Sequence, residues 1–286
     1  MNGTLYLCAT PIGNLEDITL RVLRILKEAD LIAAEDTRHS IKLLNHFEIK
    51  TPMTSYHEFN KVSKARSLVD RLHEGMNIAL ITDAGTPGIS DPGEELVRLC
   101  HEEGIPVTSL PGASACITAL SGSGQKTGRF CFEAFLPSDK KLRSKILEEL
   151  KTETRTVIFY EAPHRLEKTL QEILQVLGDR NISLCRELTK KFEQIERTTL
   201  AEAVDKYKNH EAKGEFVLVM EGRSFSEMEA EERKSWEEKT IEEHFQFYIE
   251  QNIEKKEAMK LVAKDRGIPK REVYNTLLEE KETESK

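Results

Sequence analysis

The chain has 286 residues, 38% of them hydrophobic and 32% charged, with a formal net charge of −8. This composition excludes a disordered polyelectrolyte, and no apolar run reaches bilayer-spanning length. The negative charge argues against nonspecific nucleic-acid binding, which rests on phosphate neutralisation.

In chain order, Leu5–Ala9 predicts a buried strand, residues 19–29 a helix with apolar Val22, Leu23, Ile25 and Leu26, and Leu31–Ala34 a second strand. A helix near residues 41–47 follows, then strands at Ile78–Ile81 and Val107–Leu110 with a helix near residues 94–103 between them. Strands separated by helices of this length imply a mainly parallel sheet covered on both faces. The first domain is placed at residues 1–124. A second α/β domain, residues 125–222, carries strands at 130–134, 156–160, 182–185 and 216–220, with helices near 142–150 and 163–177. From residue 223 to 286 the chain turns polar, glutamate-rich and helical in period. The expected fold is therefore α/β, two α/β domains followed by a small helical C-terminal segment.

Five scattered cysteines (Cys8, Cys100, Cys116, Cys131, Cys185) argue against a disulfide framework and against a Cys-x-x-Cys zinc site. Met1-Asn2-Gly3-Thr4 lacks the basic start of an export signal. A metal-free protein of the reducing cytoplasm, with no membrane association, is expected.

Ligands of parallel sheets bind at the carboxyl ends of strands, so the loops there carry the chemistry. Asp83-Ala84-Gly85-Thr86-Pro87-Gly88-Ile89-Ser90-Asp91-Pro92-Gly93 joins a buried strand to a helix and exceeds the about 2–6 residues of a plain βα turn. Its glycines permit close approach of a ligand, and its prolines fix the path. Thr10–Leu15 and Pro111–Ala115 stand in the same position after other strands, which favours one shared site. None is a Gly-x-Gly-x-x-Gly dinucleotide loop. Residues 122–127, Gly-Ser-Gly-Gln-Lys-Thr, lack the glycine before lysine of a P-loop and read as a domain connector.

Seven blocks make the pattern specific: Ala9–Leu15, Ala34–Arg38, Ser55–Glu58, Asp83–Gly93, Phe159–Arg165, Arg186–Lys190 and Gly214–Val217. In this order, across residues 4–222, they resemble the signature blocks of the ribosomal RNA small subunit methyltransferase I family, within the tetrapyrrole methylase superfamily. The resemblance implies 2′-O-methylation of a cytidine ribose in 16S ribosomal RNA with S-adenosylmethionine (SAM), held folded in a cleft between two α/β domains. It also implies a homodimer acting on 16S rRNA or the small ribosomal subunit. The matching SAM positions are Pro11, Asp83, Ala84, Gly85, Thr86, Gly88, Ile89, Ser114, Ala115, Tyr160, Leu188 and Phe216. Tetrapyrrole enzymes commonly carry a glycine-rich first loop and Gly-Asp-Pro in the second. Here Thr10–Asn14 and Asp83–Thr86 stand in their places, which weighs against a tetrapyrrole substrate but not against SAM.

Methyl transfer to a weakly acidic hydroxyl needs alignment first and is helped by a general base. Glu35, Asp36, His57 and Glu161 lie at strand ends and are candidates for that base. Each has a structural alternative: Asp36 as a helix cap, Glu35 as an ion-pair partner of Arg38, His57 as a satisfied loop histidine. Arg38 and Arg165 are candidate phosphate contacts or, equally, members of surface ion pairs.

Residues 255–271 hold seven cations against Glu257 and Asp265, and residues 255–278 predict two helices separated at Gly267, with Pro269 in the first turn of the second. Lys256, Lys260, Lys270 and Arg271 are candidate RNA contacts there; the alternative is a solvated hairpin. This basic section favours an rRNA substrate over a tetrapyrrole precursor. Intact loops from three strands favour an enzyme over a non-catalytic ribosome-binding module.

Overall fold

The computed structural model describes residues 1–237 and 239–284, without the side chains of residues 229, 231–233, 235, 237 and 279–284. It divides into two compact units, one of residues 1–148 and 155–221, the other of residues 149–154 and the chain from Gly222 onward.

The first unit opens with β1 (Leu5–Cys8), α1 (Leu20–Glu28), β2 (Leu31–Ala34), α2 (Thr37–His46), β3 (Met53–Ser55), α3 (Lys61–His73), β4 (Ile78–Ile81), α4 (Gly93–Glu102) and β5 (Val107–Leu110). The strands pair in the order β3-β2-β4-β1-β5, every pair parallel. Alternation along each strand divides the core between two faces. Leu5, Leu7, Leu31, Ala33, Ile78 and Leu80 pack with Leu68, Leu72, Leu96 and Leu99 of α3 and α4. Cys8, Ile32, Ala34, Ala79 and Ile81 pack with Val22, Ile25, Leu26 and Leu44 of α1 and α2. Each fully buried leucine or isoleucine contributes about 1.5–3 kcal/mol. Both faces are thereby covered, and the strands' carboxyl ends are left to carry function.

The same unit continues through α5 (Ala115–Gly122), β6 (Phe130–Phe135), α6 (Lys140–Glu149), β7 (Thr156–Glu161), α7 (Pro163–Leu177), β8 (Asn181–Arg186), β9 (Gln194–Thr199), α8 (Leu200–Asn209) and β10 (Phe216–Met220). The second sheet runs β6-β7-β10-β8-β9, parallel between β6 and β7 and antiparallel elsewhere. Its centre is β10, whose Phe-Val-Leu-Val-Met is buried at every position. Although α5 follows the first sheet in sequence, its Cys116, Ala119 and Leu120 pack on Ile158, Cys185, Val217 and Val219 of the second.

The second unit holds α9 (Phe225–Glu237), α10 (Ile241–Glu250), α11 (Lys255–Arg266) and α12 (Lys270–Glu284). A capping box between Thr240 and Glu243 starts α10. Gly267, left-handed at φ 66°, ends α11, and Pro269 directly precedes α12. Val262, Ala263 and Val273 form a small core with Ile241, Phe245, Tyr248 and Leu277. Among the described residues no helix is long and apolar enough to cross a membrane.

Candidate active site

Three loops at the carboxyl ends of β1, β4 and β5 are stitched into one wall. The Thr10 N–H donates to Gly85 O at 2.9 Å and the Gly85 N–H to Thr10 O at 3.0 Å, while the Thr10 hydroxyl donates to Thr82 O at 3.1 Å. Thr86 Oγ1 donates to Ala113 O at 2.9 Å. The Asp91 carboxylate accepts the N–H groups of Gly88, Ile89 and Gly93, at 2.8, 3.2 and 2.7 Å. It thus takes the charge into a loop whose burial pushes its pKa up.

A cavity of about 580 Å³ opens beside this wall, within the usual range of about 300–1,000 Å³ for small-molecule sites. Of the residues proposed to hold a cofactor, Asp83, Ala84, Gly85, Thr86, Ile89, Ala115, Tyr160, Leu188 and Phe216 line it together. Pro11 lines a second cavity instead, and Gly88 and Ser114 line neither. Gly88 anchors the loop through Asp91, and Ser114 is the N-cap residue of α5. Tyr160 is fixed from two sides: its oxygen accepts the Cys116 N–H at 3.1 Å, and its ring meets Phe132 and Phe135 edge-on at 4.8 and 5.6 Å. Burial raises the Tyr160 pKa, so the phenol stays protonated.

Ile12, Phe135, Glu215 and Val217 also line this cavity and were not singled out from sequence. Phe135 is aimed by a β-bulge between Phe132 and Ala134, where Ala134 takes φ 52°. The signal available was position, since Ile12, Glu215 and Val217 fall inside the quoted blocks and Phe135 does not.

The chemistry of the lining is one-sided. Among the described residues the cavity has Glu35, Asp83, Asp91, Glu161 and Glu215 but no lysine, arginine or histidine. Apolar walls with an excess of carboxylates fit a compact organic cation and disfavour phosphate. SAM, with its sulfonium and ammonium charges, meets that description, and Gly85 (φ 86°) leaves the wall without a side chain where the ligand would approach.

A second cavity of about 440 Å³ adjoins the first and shares Ile12, Thr82, Asp83, Ala84 and Glu215 with it. Here lie His39, Lys42, His46 and Lys190.

The four candidate bases separate clearly. Glu161 is buried, with its oxygens accepting from Ala162 N at 2.8 Å and Thr169 Oγ1 at 2.5 Å and with Arg165 Nε at 3.6 Å. Asp36 caps α2, and its hydrogen bonds to the Arg38 side chain and N–H hold it down at about 2. His57 lines neither cavity; its N–H and ring contact Asn60, the ring through Nε2 at 3.3 Å. Glu35 lines the first cavity and accepts from Thr82 Oγ1 at 2.6 Å and Asp83 N at 3.4 Å, its Oε1 having no hydrogen-bond partner among the described residues. Asp83 lines both cavities; its Oδ1 accepts from Asp36 N at 3.1 Å. Burial, then the Glu35 charge, raises its pKa. Of the proposed phosphate contacts, Arg38 is exposed but bound to Asp36 at 2.8 Å, and Arg165 donates to Leu136 O at 2.6 Å.

In the helical unit Lys256 and Arg271 are exposed. Lys260 pairs with Glu257 at 2.7 Å, and Lys270 Nζ reaches Lys256 O at 3.3 Å. Arg266 is committed to structure, donating to His244 Nδ1 and to the carbonyls of Lys239 and Thr240.

Fold and cavity together define a class. A family profile described as Tetrapyrrole (Corrin/Porphyrin) Methylases matches residues 4–204. A solved structure of uroporphyrin-III C-methyltransferase from Thermus thermophilus, complexed with S-adenyl homocysteine, superposes with a TM-score of 0.53 at 20% identity, covering 76% of this chain and 97% of that one. "Ribosomal RNA small subunit methyltransferase I" of Halalkalibacterium halodurans is 54% identical over 96% of this chain and 94% of its own. The Bacillus subtilis protein of the same name is 49% identical, over 96% and 93%. The chain belongs to the tetrapyrrole methylases and, within them, to the ribosomal RNA small subunit methyltransferase I family.

Proposed function

We propose that the protein transfers a methyl group from SAM to the 2′-oxygen of a cytidine ribose in 16S rRNA, acting in the cytoplasm as a homodimer on the RNA or the small subunit. The observation that carries this reading is the carboxylate-lined, cation-free cavity behind the Gly85 loop, on a chain 54% identical to a relative named for rRNA methylation. When bound, SAM supplies an electrophilic methyl group on a positively charged sulfur. The protein's part is to hold and exclude. Glu35 offsets the ligand's charge, Ile12, Leu188, Phe216 and Val217 keep water out, and the Thr10–Gly85 bridge fixes the wall. We assign receipt of the hydroxyl proton to the Asp83 carboxylate, which lines both cavities, with Glu35 beside it as a positioning residue.

The direct test is mapping 2′-O-methyl groups in 16S rRNA from cells with and without this protein. One cytidine is expected to lose its mark; an unchanged map, with methyl transfer to a porphyrinoid in vitro, would overturn the reading.

The helical unit is assigned to RNA contact through Lys256, Lys260, Lys270 and Arg271. Both α11 and α12 carry cations in their first turns, where the helix dipole disfavours them, so the placement is not explained by helix stability. Changing these four residues to alanine is expected to raise the KM for the ribosomal substrate while leaving SAM affinity nearly unchanged. Each lost phosphate contact should reduce the salt slope by roughly 0.7–0.9. Steady-state kinetics at two salt concentrations, with SAM binding in parallel, check this; equal slopes in wild type and variant make α11 and α12 a structural hairpin.

A further inference from the structure

Methyl transfer requires the accepting oxygen to come within about 3–3.5 Å of the methyl carbon along the line of displacement. If the first cavity holds the methyl donor, the acceptor enters from a space sharing a wall with it. The second cavity does, through Asp83 and Ile12. Unlike the first, it is also lined by basic side chains. His39, Lys42 and His46 recur at i, i+3 and i+7 along α2, which places them on one exposed helix face over roughly 10 Å. None of the three pairs with a carboxylate among the described residues, whereas Lys190 across the cavity is neutralised by Glu187 and Glu215 at 2.9 and 2.8 Å. Arg24, Arg66 and Arg98 elsewhere on the surface sit in ion pairs, so it is the grouping of these three on one face beside the cavity, and not the lack of a partner alone, that sets His39, Lys42 and His46 apart. Three unpaired groups on one face beside a polar cavity fit the backbone of a single nucleic-acid strand, since phosphates are met by exposed cations and by histidine N–H donors.

We infer that the second cavity is the acceptor-strand site, with His39, Lys42 and His46 of α2 holding the phosphates that flank the methylated nucleotide and Asp83 in the shared wall facing its ribose. The assignment rests on the proposed rRNA activity and adds to it the residues that seat the strand. All three are positioning residues; the transferred group is met in the neighbouring cavity.

The test uses the full-length protein with His39, Lys42 and His46 changed together to alanine, substitutions that exposed helix positions tolerate. Three quantities are measured beside wild type: SAM affinity by calorimetry without RNA, binding of small ribosomal subunits without SAM, and steady-state kinetics. SAM affinity within twofold of wild type, subunit binding weakened at least tenfold, and a KM for the subunit raised by a similar factor are expected. Lys42→Arg alone, with the charge retained, should keep at least half the wild-type kcat/KM, and Lys42→Glu should not. Unchanged subunit binding and KM in the triple variant, with the wild type active on rRNA, would overturn the assignment while leaving the activity intact. A wild type inactive on rRNA would instead remove the activity on which it rests. Loss of SAM affinity in the triple variant would also count against it, by showing that this face supports the donor cavity.

Discussion

Gly85→Val is expected to abolish SAM binding, with affinity falling at least a hundredfold by calorimetry and kcat/KM falling with it. Two causes combine. Gly85 holds φ 86°, where a β-branched residue is strained. A Cβ there would lie 3.4 Å from Ile12 Cγ2 and 3.6 Å from Ala113 O, on the cavity wall, and the two further methyls of valine would take space from the ligand. Gly88 separates the causes. Its φ is 84°, nearly the same, but a Cβ on it meets nothing within 4 Å and the residue does not line the cavity. Gly88→Val should therefore lose stability to a similar degree and retain much more SAM affinity. Equal losses in the two variants would mean that loop strain, and not the ligand's space, accounts for Gly85.

Elements built on uninterrupted apolar runs were visible in sequence. Leu31–Ala34, Ile78–Ile81 and Phe216–Met220 were placed to the residue, because a strand buried on both faces or at a sheet centre needs no alternation to betray it. Val107–Leu110, an edge strand with Thr108 and Ser109 inside it, was placed as well, by its position after the helix near residues 94–103. Met53–Ser55 and Gln194–Thr199 were not seen. Both are edge strands, short or polar, held by one neighbour's hydrogen bonds rather than by burial of their own side chains. The second sheet's mixed direction was equally hidden, because pairing between distant strands leaves no local pattern. Nor did periodicity reveal that α5, largely apolar around its circumference, crosses to the second sheet.

The glycine loop announced itself through composition, and Tyr160, Leu188 and Phe216 through family resemblance. Other site residues had no such signal. Phe135 reaches the cavity because of a bulge at Ala134, a backbone event without a sequence signature. Of the stripe His39, Lys42, His46, only His39 fell outside the helix expected near residues 41–47, which hid the three as one face. Asp36 in fact starts α2 four residues earlier by capping Arg38 N. The block Ser55–Glu58 looked functional, yet its buried member, Tyr56, donates to Pro92 O at 2.9 Å and braces the glycine loop from behind. His57, the residue with the more obvious chemistry, is turned to Asn60.

Asp83→Asn is expected to lower kcat by roughly 10²–10⁴ with SAM affinity within a few-fold of wild type. The amide oxygen can still accept Asp36 N–H, so the wall stays in place and only the proton-accepting capacity is lost. The pH dependence supplies an independent check. Asp83 is raised by burial and by Glu35, with Asp36 adding to the rise and His39 opposing it. A base must be ionised to act, so the acidic limb of kcat/KM should lie above the ordinary aspartate range of about 3.9. Glu35→Gln keeps an acceptor for the Thr82 hydroxyl while removing the negative neighbour. Ionisation of Asp83 then becomes easier, its pKa falls, and the acidic limb should move to lower pH. Glu161 provides the contrast: Glu161→Gln should cost stability, since its carboxylate is buried between Thr169, Ala162 N–H and Arg165, without moving that limb. If Asp83→Asn keeps full turnover and Glu35→Gln leaves the limb where it was, no carboxylate at this wall takes the proton. The rate enhancement would then rest on alignment alone, which can supply about 7–11 kcal/mol when the reacting atoms are held in line.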